Sequence, residues 1–227
     1  MAAARSKRSI DGCGAVETLV RVAGKLLEGA WLAPLGGMFI ARAAVLTLAV
    51  LAGSARADDT VVHGELDPIT FASSGYGVQL GVRPAALVHV RLAIDSFALD
   101  VPDFAGQLGG NDGFHVHVRP SVVVYAFYYL APAGNDGFFG GLSTRYLRWH
   151  YTHDGAPGQS TNVDEISPEV VVGYQWHPFH NGFYVQPLAS AGVVLWHHGS
   201  RTVGSFAFDQ LAVSPFATVN LGWELRL

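Results

Sequence analysis

Cysteine is nearly absent. Cys13 is the only one in 227 residues. Beyond it the chain can hold no disulfide framework, no thiol nucleophile and no Cys-ligated zinc site. Lysine is as scarce, with only Lys7 and Lys25. The net charge is −4 with no basic patch and no run of like charge, which argues against nucleic acid as a partner. No apolar run reaches the roughly 20 residues that a membrane-spanning helix needs. HExxH and Cys-based metal motifs are missing, and there is no fixed-period repeat or low-complexity tract. What the chain has instead is glycine (27 residues), aromatics (11%) and long stretches of strict alternation.

The alternation is clearest at the C-terminus. From Pro215 to Leu227, Ala217, Val219, Leu221, Trp223, Leu225 and Leu227 share one parity, and Phe216, Thr218, Asn220, Gly222, Glu224 and Arg226 the other. A period of two predicts a strand with one apolar face. This strand resembles the last strand of bacterial outer-membrane β-barrel proteins, which carries a sorting signal of a polar residue, a glycine and two terminal hydrophobics at fixed spacing. Asn220, Gly222, Leu225 and Leu227 fit that spacing, with Leu227 standing where the family usually has Phe or Trp. The resemblance implies recognition by the barrel assembly machinery through these four residues. A half-buried edge strand of a soluble sandwich is the alternative for this segment alone.

The front of the chain points the same way. Met38–Ala57 combines Arg42, an apolar core from Ala43 to Ala52 and Ala55-Arg-Ala57 ahead of Asp58-Asp59. That is the pattern of a secretory signal peptide with cleavage after Ala57. Residues 1–37 precede a Met that already begins a complete signal, so they read as an over-extended N-terminus. The domain to be folded is then 58–227, about 170 residues, suited to one domain and to an eight-stranded barrel.

Working back from the last strand, alternating runs recur. In Gly182–Trp196, Val185, Pro187, Ala189, Ala191, Val193 and Leu195 oppose Tyr184, Gln186, Ser190 and Gly192. In Glu165–Trp176, Ile166, Val170, Val172, Tyr174 and Trp176 oppose Glu165, Ser167, Glu169, Gly173 and Gln175. Phe138–Tyr151 is a strand by composition. Earlier, Val116, Val118, Val122, Val124, Ala126 and Tyr128 oppose His117, Arg119, Ser121, Tyr125 and Tyr129. Val88, Val90, Leu92 and Ile94 oppose His89, Arg91, Ala93 and Asp95, and Tyr76, Val78, Leu80 and Val82 oppose Gln79 and Gly81. Thr60–Phe71 is left for the first strand, interrupted by Pro68.

Short connections at 83–85, 131–137 and 177–182 alternate with long ones at 100–113, 153–163 and 197–207. Short periplasmic turns and long outer loops are the asymmetry of an outer-membrane barrel. Aromatics near both strand ends fit the two membrane interfaces. Alternation alone does not distinguish a soluble barrel, apolar inside, from a lipid-embedded one, apolar outside. The signal peptide and terminal signature favour lipid. The fold class expected is therefore all-β, an antiparallel up-and-down transmembrane barrel of about eight strands. The resemblance, of the small OmpA/OmpX/OmpW-like type, implies an outer membrane of lipid and lipopolysaccharide as its surroundings.

Chemistry is harder to find. All ten histidines follow residue 57. His115 and His117 share a strand face and could grip a metal with a third ligand, while His150, His153, His177, His180, His197 and His198 sit in turns and loop mouths. None makes a recognised zinc pattern. His198-Gly-Ser200 resembles the His-x-Ser pair of outer-membrane lipid A deacylases. No glutamate follows at suitable spacing, and Arg201 stands in place of the family's Asn. Glu165 and Glu169 are four apart on one strand, about 13 Å, too far for paired glycosidic carboxylates. Arg91, Arg119 and Arg145, with Asp95, Glu165 and Glu169, read instead as a cross-linked polar interior. The expected role is structural or surface-interacting, with no catalytic residue, cofactor or metal assigned. A small-solute channel and a lipid A-modifying enzyme are the alternatives.

Overall fold

The computed structural model describes residues 60–102, 112–179, 181–209 and 212–226. The signal-peptide segment 38–57, the cleavage site, residues 1–37, His180 and Leu227 lie outside the described residues.

Among the described residues, eleven strands and one short α-helix follow in order: β1 (Val61–Leu66), α1 (Pro68–Ala72), β2 (Tyr76–Arg83), β3 (Val90–Val101), β4 (Phe114–Tyr129), β5 (Gly137–His153), β6 (Ser160–Gln175), β7 (Phe183–Val193), β8 (Trp196–Gly199), β9 (Thr202–Val203), β10 (Phe206–Ala207) and β11 (Val213–Arg226). Every ladder is antiparallel. β1 to β6 pair in sequence, β6 pairs with β7, β7 with β11, and β11 closes on β1. The result is a closed ring of eight strands. β8 continues the line of β7 along β6 after a break at Val194–Leu195, and β9–β10 form a small hairpin of their own.

The first strand is shorter than Thr60–Phe71. Pro68 cannot continue a ladder, and Asp67 caps a helical turn instead, its carboxylate accepting from the backbone N–H of Ile69 at 2.8 Å and of Thr70 at 3.3 Å. The long connections also differ from their expected bounds. β5 and β6 run to His153 and from Ser160, so part of 153–163 is strand, and 197–207 holds most of β8 with β9 and β10.

A larger correction concerns β4. Its pairing with both neighbours slips at Arg119–Val122, where Phe97↔Ser121 gives way to Leu99↔Val118 and Tyr146↔Val122 to Arg148↔Arg119. Pro120 has no N–H for the ladder, and the extra residue makes a β-bulge. A bulge reverses parity. Below it Val122, Val124, Ala126 and Tyr128 face out as expected. Above it Val116 and Val118 are buried, and His117 and Arg119 face out. These two are not lumen residues.

Candidate functional site

The inner face carries polar side chains on most strands and aromatic or aliphatic ones along β4. Buried on it are His63 and Glu65 (β1), Gln79 and Arg83 (β2), Arg91 (β3), Ser143 and Arg145 (β5), Glu165, Ser167, Glu169 and Gln175 (β6), Gln186 and Ser190 (β7), and Thr218, Asn220 and Glu224 (β11). The outer face carries the apolar half of each alternation: Leu142, Val170, Val172, Trp176, Val193, Leu221, Trp223 and Leu225 are all exposed. In water this arrangement would be reversed. A polar inside and an apolar outside is what hydrocarbon surroundings require. This is a barrel built inside out.

Glu65 is the centre of the lower network. Its carboxylate accepts from the Arg91 guanidinium at 2.5 Å and from the Tyr184 hydroxyl at 2.5 Å, and also from Asn220 Nδ2 at 2.8 Å and Gln79 Nε2 at 2.9 Å. Four strands are thereby tied to one side chain of the first. Arg91 also donates to the Tyr184 hydroxyl at 3.2 Å and lies over the ring of Phe127, 4.8 Å from its centroid. At the short-turn end, Glu224 accepts from Gln175 at 2.7 Å, with His177 at 3.6 Å and His63 at 3.7 Å. Arg83 stacks on Tyr129, whose hydroxyl donates to Gln186 at 3.2 Å.

A second network lies higher. Arg145 meets Glu169 at 2.7 Å and Ser190 at 2.9 Å, and Glu169 accepts further bonds from Ser190 at 3.0 Å and Ser143 at 3.2 Å. Phe216 covers the guanidinium, 4.5 Å from the ring centroid. Arg145 takes Glu169, one of the three acids the sequence suggests as partners. Arg91 takes Glu65, a partner not among those the sequence suggests. Buried charges persist only when paired and hydrogen-bonded in this way.

Gly222, a position of the terminal signature, has a structural reason of its own. A Cβ there would overlap the Tyr184 ring, which lies across the glycine. Gly222→Ala should push Tyr184 off Glu65 and lower stability by about 1–3 kcal/mol, as overpacking does. A urea titration of the folded barrel, read by heat-modifiable gel migration, measures this directly. An unchanged midpoint would mean that Tyr184 is not held against the glycine.

At the outer end the inner face becomes apolar. Phe114, Val116, Tyr151 and Val163 form a buried cluster with Val203 and Phe208, which belong to the β9–β10 segment. Tyr151 stacks on Phe208 at 4.0 Å between ring centroids. The hairpin thus lies over the inward walls of β4, β5 and β6.

The residues singled out for metal or nucleophilic chemistry are dispersed. His115 pairs with Asp154 at 2.9 Å and His117 with Asp100 at 2.5 Å, so the two take different carboxylates. Among the described residues no group of three His, Cys, Asp or Glu could hold a metal ion. The Ser200 hydroxyl is bonded to Thr202 Oγ1 at 2.9 Å, while His198 stacks on Trp196. Both are exposed, His198 on β8 and Ser200 on the link to β9, away from the inner networks. Glu165 and Glu169 lie on the inner face as expected, Glu169 in the ion pair with Arg145.

Comparison with known families matches none, and no curated protein matches the chain. Solved structures do. Neisserial surface protein A is similar at 12% identity over 74% of this chain and 95% of its own, with a TM-score of 0.43. A major outer membrane protein from Thermus thermophilus is similar at 9% identity over 73% of this chain and 99% of its own, TM-score 0.43. The N-terminal β-barrel domain of Pseudomonas aeruginosa OprF gives 12%, 74%, 98% and 0.41 for the same quantities. These neighbours are outer-membrane β-barrel proteins.

Proposed function

We propose that the chain is an outer-membrane β-barrel protein with a closed bore, serving the envelope structurally or through contacts made at its outer rim. The observation that carries the closed bore is its filling. The Glu65–Arg91–Tyr184 network crosses it, Arg145, held by Glu169, reaches Phe216 on β11, the aromatic group Phe127, Tyr129 and Phe139 packs beside Arg91, and the β9–β10 segment covers its outer end. An eight-stranded barrel is narrow enough for side chains to fill. The rim role is supported by strand length. A tilted strand needs about 9–11 residues to cross a bilayer, and β4, β5 and β6 have 16, 17 and 16, so their outer parts project beyond it. Export through the segment 38–57, and assembly through Asn220, Gly222, Leu225 and Leu227, complete the reading.

The test is conductance. Purified barrel reconstituted in a planar bilayer should give no discrete steps, since these side chains fill the bore. Reproducible single-channel steps would overturn the closed bore and make the chain a small-solute channel.

A further inference from the structure

Two cross-strand pairs on the outer wall are unusual. Arg119 on β4 lies opposite Arg148 on β5, and His117 lies opposite His150, the two rings 6.1 Å apart. All four face outward, Arg119 and His117 because of the Pro120 bulge. Like charges directly opposite each other on neighbouring strands repel. Lower on the same face the corresponding pairs are Val122 with Tyr146, Val124 with Thr144 and Ala126 with Leu142.

Nearby acids relieve this only in part. Arg148 is drawn towards Asp164 on β6 at 2.8 Å and to the Tyr146 hydroxyl at 2.9 Å. His117 takes Asp100 on β3 at 2.5 Å, and His150 takes the Asn162 amide oxygen at 2.9 Å. Arg119 is exposed and its guanidinium has no carboxylate partner among the described residues. Beside it opens a cleft of about 490 Å³, lined among others by Ser74, Gly75, Asp100, His117, Arg119 and His150.

The height of the cluster decides what it meets. Below it the outer wall is apolar: Val122 and Val124 on β4, Leu142 on β5, Val170 and Val172 on β6. Above the same line β5 turns to Arg148, His150 and Thr152, and β6 to Asp164 and Asn162. The cluster therefore stands at the upper border of the apolar belt. A ligand there would rest an apolar part on the belt and present an anion to the paired cations. A phosphate carries the acceptor oxygens to bridge two guanidinium groups, and bridging turns the Arg119–Arg148 repulsion into attraction.

We propose that Arg119, Arg148, His117 and His150 bind a phosphate on the headgroup of a lipid whose acyl chains lie along the belt beneath. The site rests on the membrane reading above. Asp164 and Asp100 hold Arg148 and His117 in place, and Arg119 is the donor with no carboxylate among the described residues. The apolar wall that begins at Val122 and Tyr146, the next pair below Arg119 and Arg148, favours a lipid over free phosphate.

The test uses the full chain folded in detergent micelles, with ligand retention followed by native mass spectrometry. Bisphosphorylated lipid A should bind on the order of tenfold or more tightly than the same lipid with its phosphates removed. The Arg119→Gln/Arg148→Gln double variant should lose that preference, and Arg201→Gln, another exposed arginine, should keep it. Equal retention of the two lipids, or an unchanged preference in the double variant, would overturn the site. Inorganic phosphate binding as tightly as the lipid would overturn the lipid assignment. Heat-modifiable migration of the same samples reports the barrel separately. If the double variant fails to fold, Arg119→Gln alone, which breaks no ion pair among the described residues, carries the test: it should lower the preference severalfold, and no change would overturn the site. A wild-type chain that never folds in micelles or bilayers would instead sink the membrane reading.

Discussion

Glu65→Ala should destabilise the folded barrel by about 3–5 kcal/mol, the usual loss when one member of a buried ion pair is removed. The size follows from what remains. Arg91 is fully buried, and its short contact is with Glu65. Without the carboxylate its charge stays in the bore, faced by His63 and the Tyr184 hydroxyl. Gln79, Asn220 and Tyr184 lose their acceptor at the same time. Adding Arg91→Met should recover part of the loss, because replacing both charges by apolar volume is far cheaper than stranding one. The folded fraction against urea, read by heat-modifiable migration in detergent or lipid, gives both numbers. A Glu65→Ala midpoint close to wild type would mean that water reaches Arg91, and the bore would then be open and not filled.

Much of this architecture is legible in the sequence, for a physical reason. Period-two alternation assigns a face to every residue of a regular strand, so β6, β7 and β11 orient as their sequences imply, residue by residue. The same rule fails where regularity fails. Glu65 and His63 take no role from the sequence because Pro68 breaks the pattern after six residues, too few to fix a parity. Their signal is faint but present: Val61, His63 and Glu65 alternate with Val62, Gly64 and Leu66.

The bulge in β4 is hidden by a coincidence. Val116 and Val118 have the same parity as Val122 and Val124, so the sequence reads as one continuous apolar face. Above Pro120 that face turns inward, where apolar residues are welcome because Phe208 and Val203 fill the outer end of the bore. Alternation reports polarity, and polarity maps onto inside and outside only while the lumen stays polar. The mid-strand Pro120 is only a faint signal, since Pro168 and Pro187 sit in strands whose register is unbroken. The pairing of Arg119 with Arg148, and hence the outer-wall site, depends on that bulge and could not be read from spacing.

The outward apolar wall lies in hydrocarbon. Leu142 tests it well. It is 66% exposed on β5, its register partners Ala126 and Val170 are exposed beside it, and it sits well below the Arg119–Arg148 border. If that wall faced water, Leu142→Arg would be a surface substitution worth within about 0.5 kcal/mol. In a bilayer, an arginine near the midplane of a barrel wall costs about 2–4 kcal/mol. Ser160→Arg is the control, exposed at the outer end of β6 above the belt, where depth dependence reduces the cost to about 0–1 kcal/mol. The decisive measurement is the stability of the two variants against wild type in phospholipid vesicles, by urea titration with heat-modifiable migration as readout. The expected result is a loss of about 2–4 kcal/mol for Leu142→Arg beside a near-neutral Ser160→Arg. Near-neutral behaviour of both would contradict the account and place the apolar wall outside the membrane.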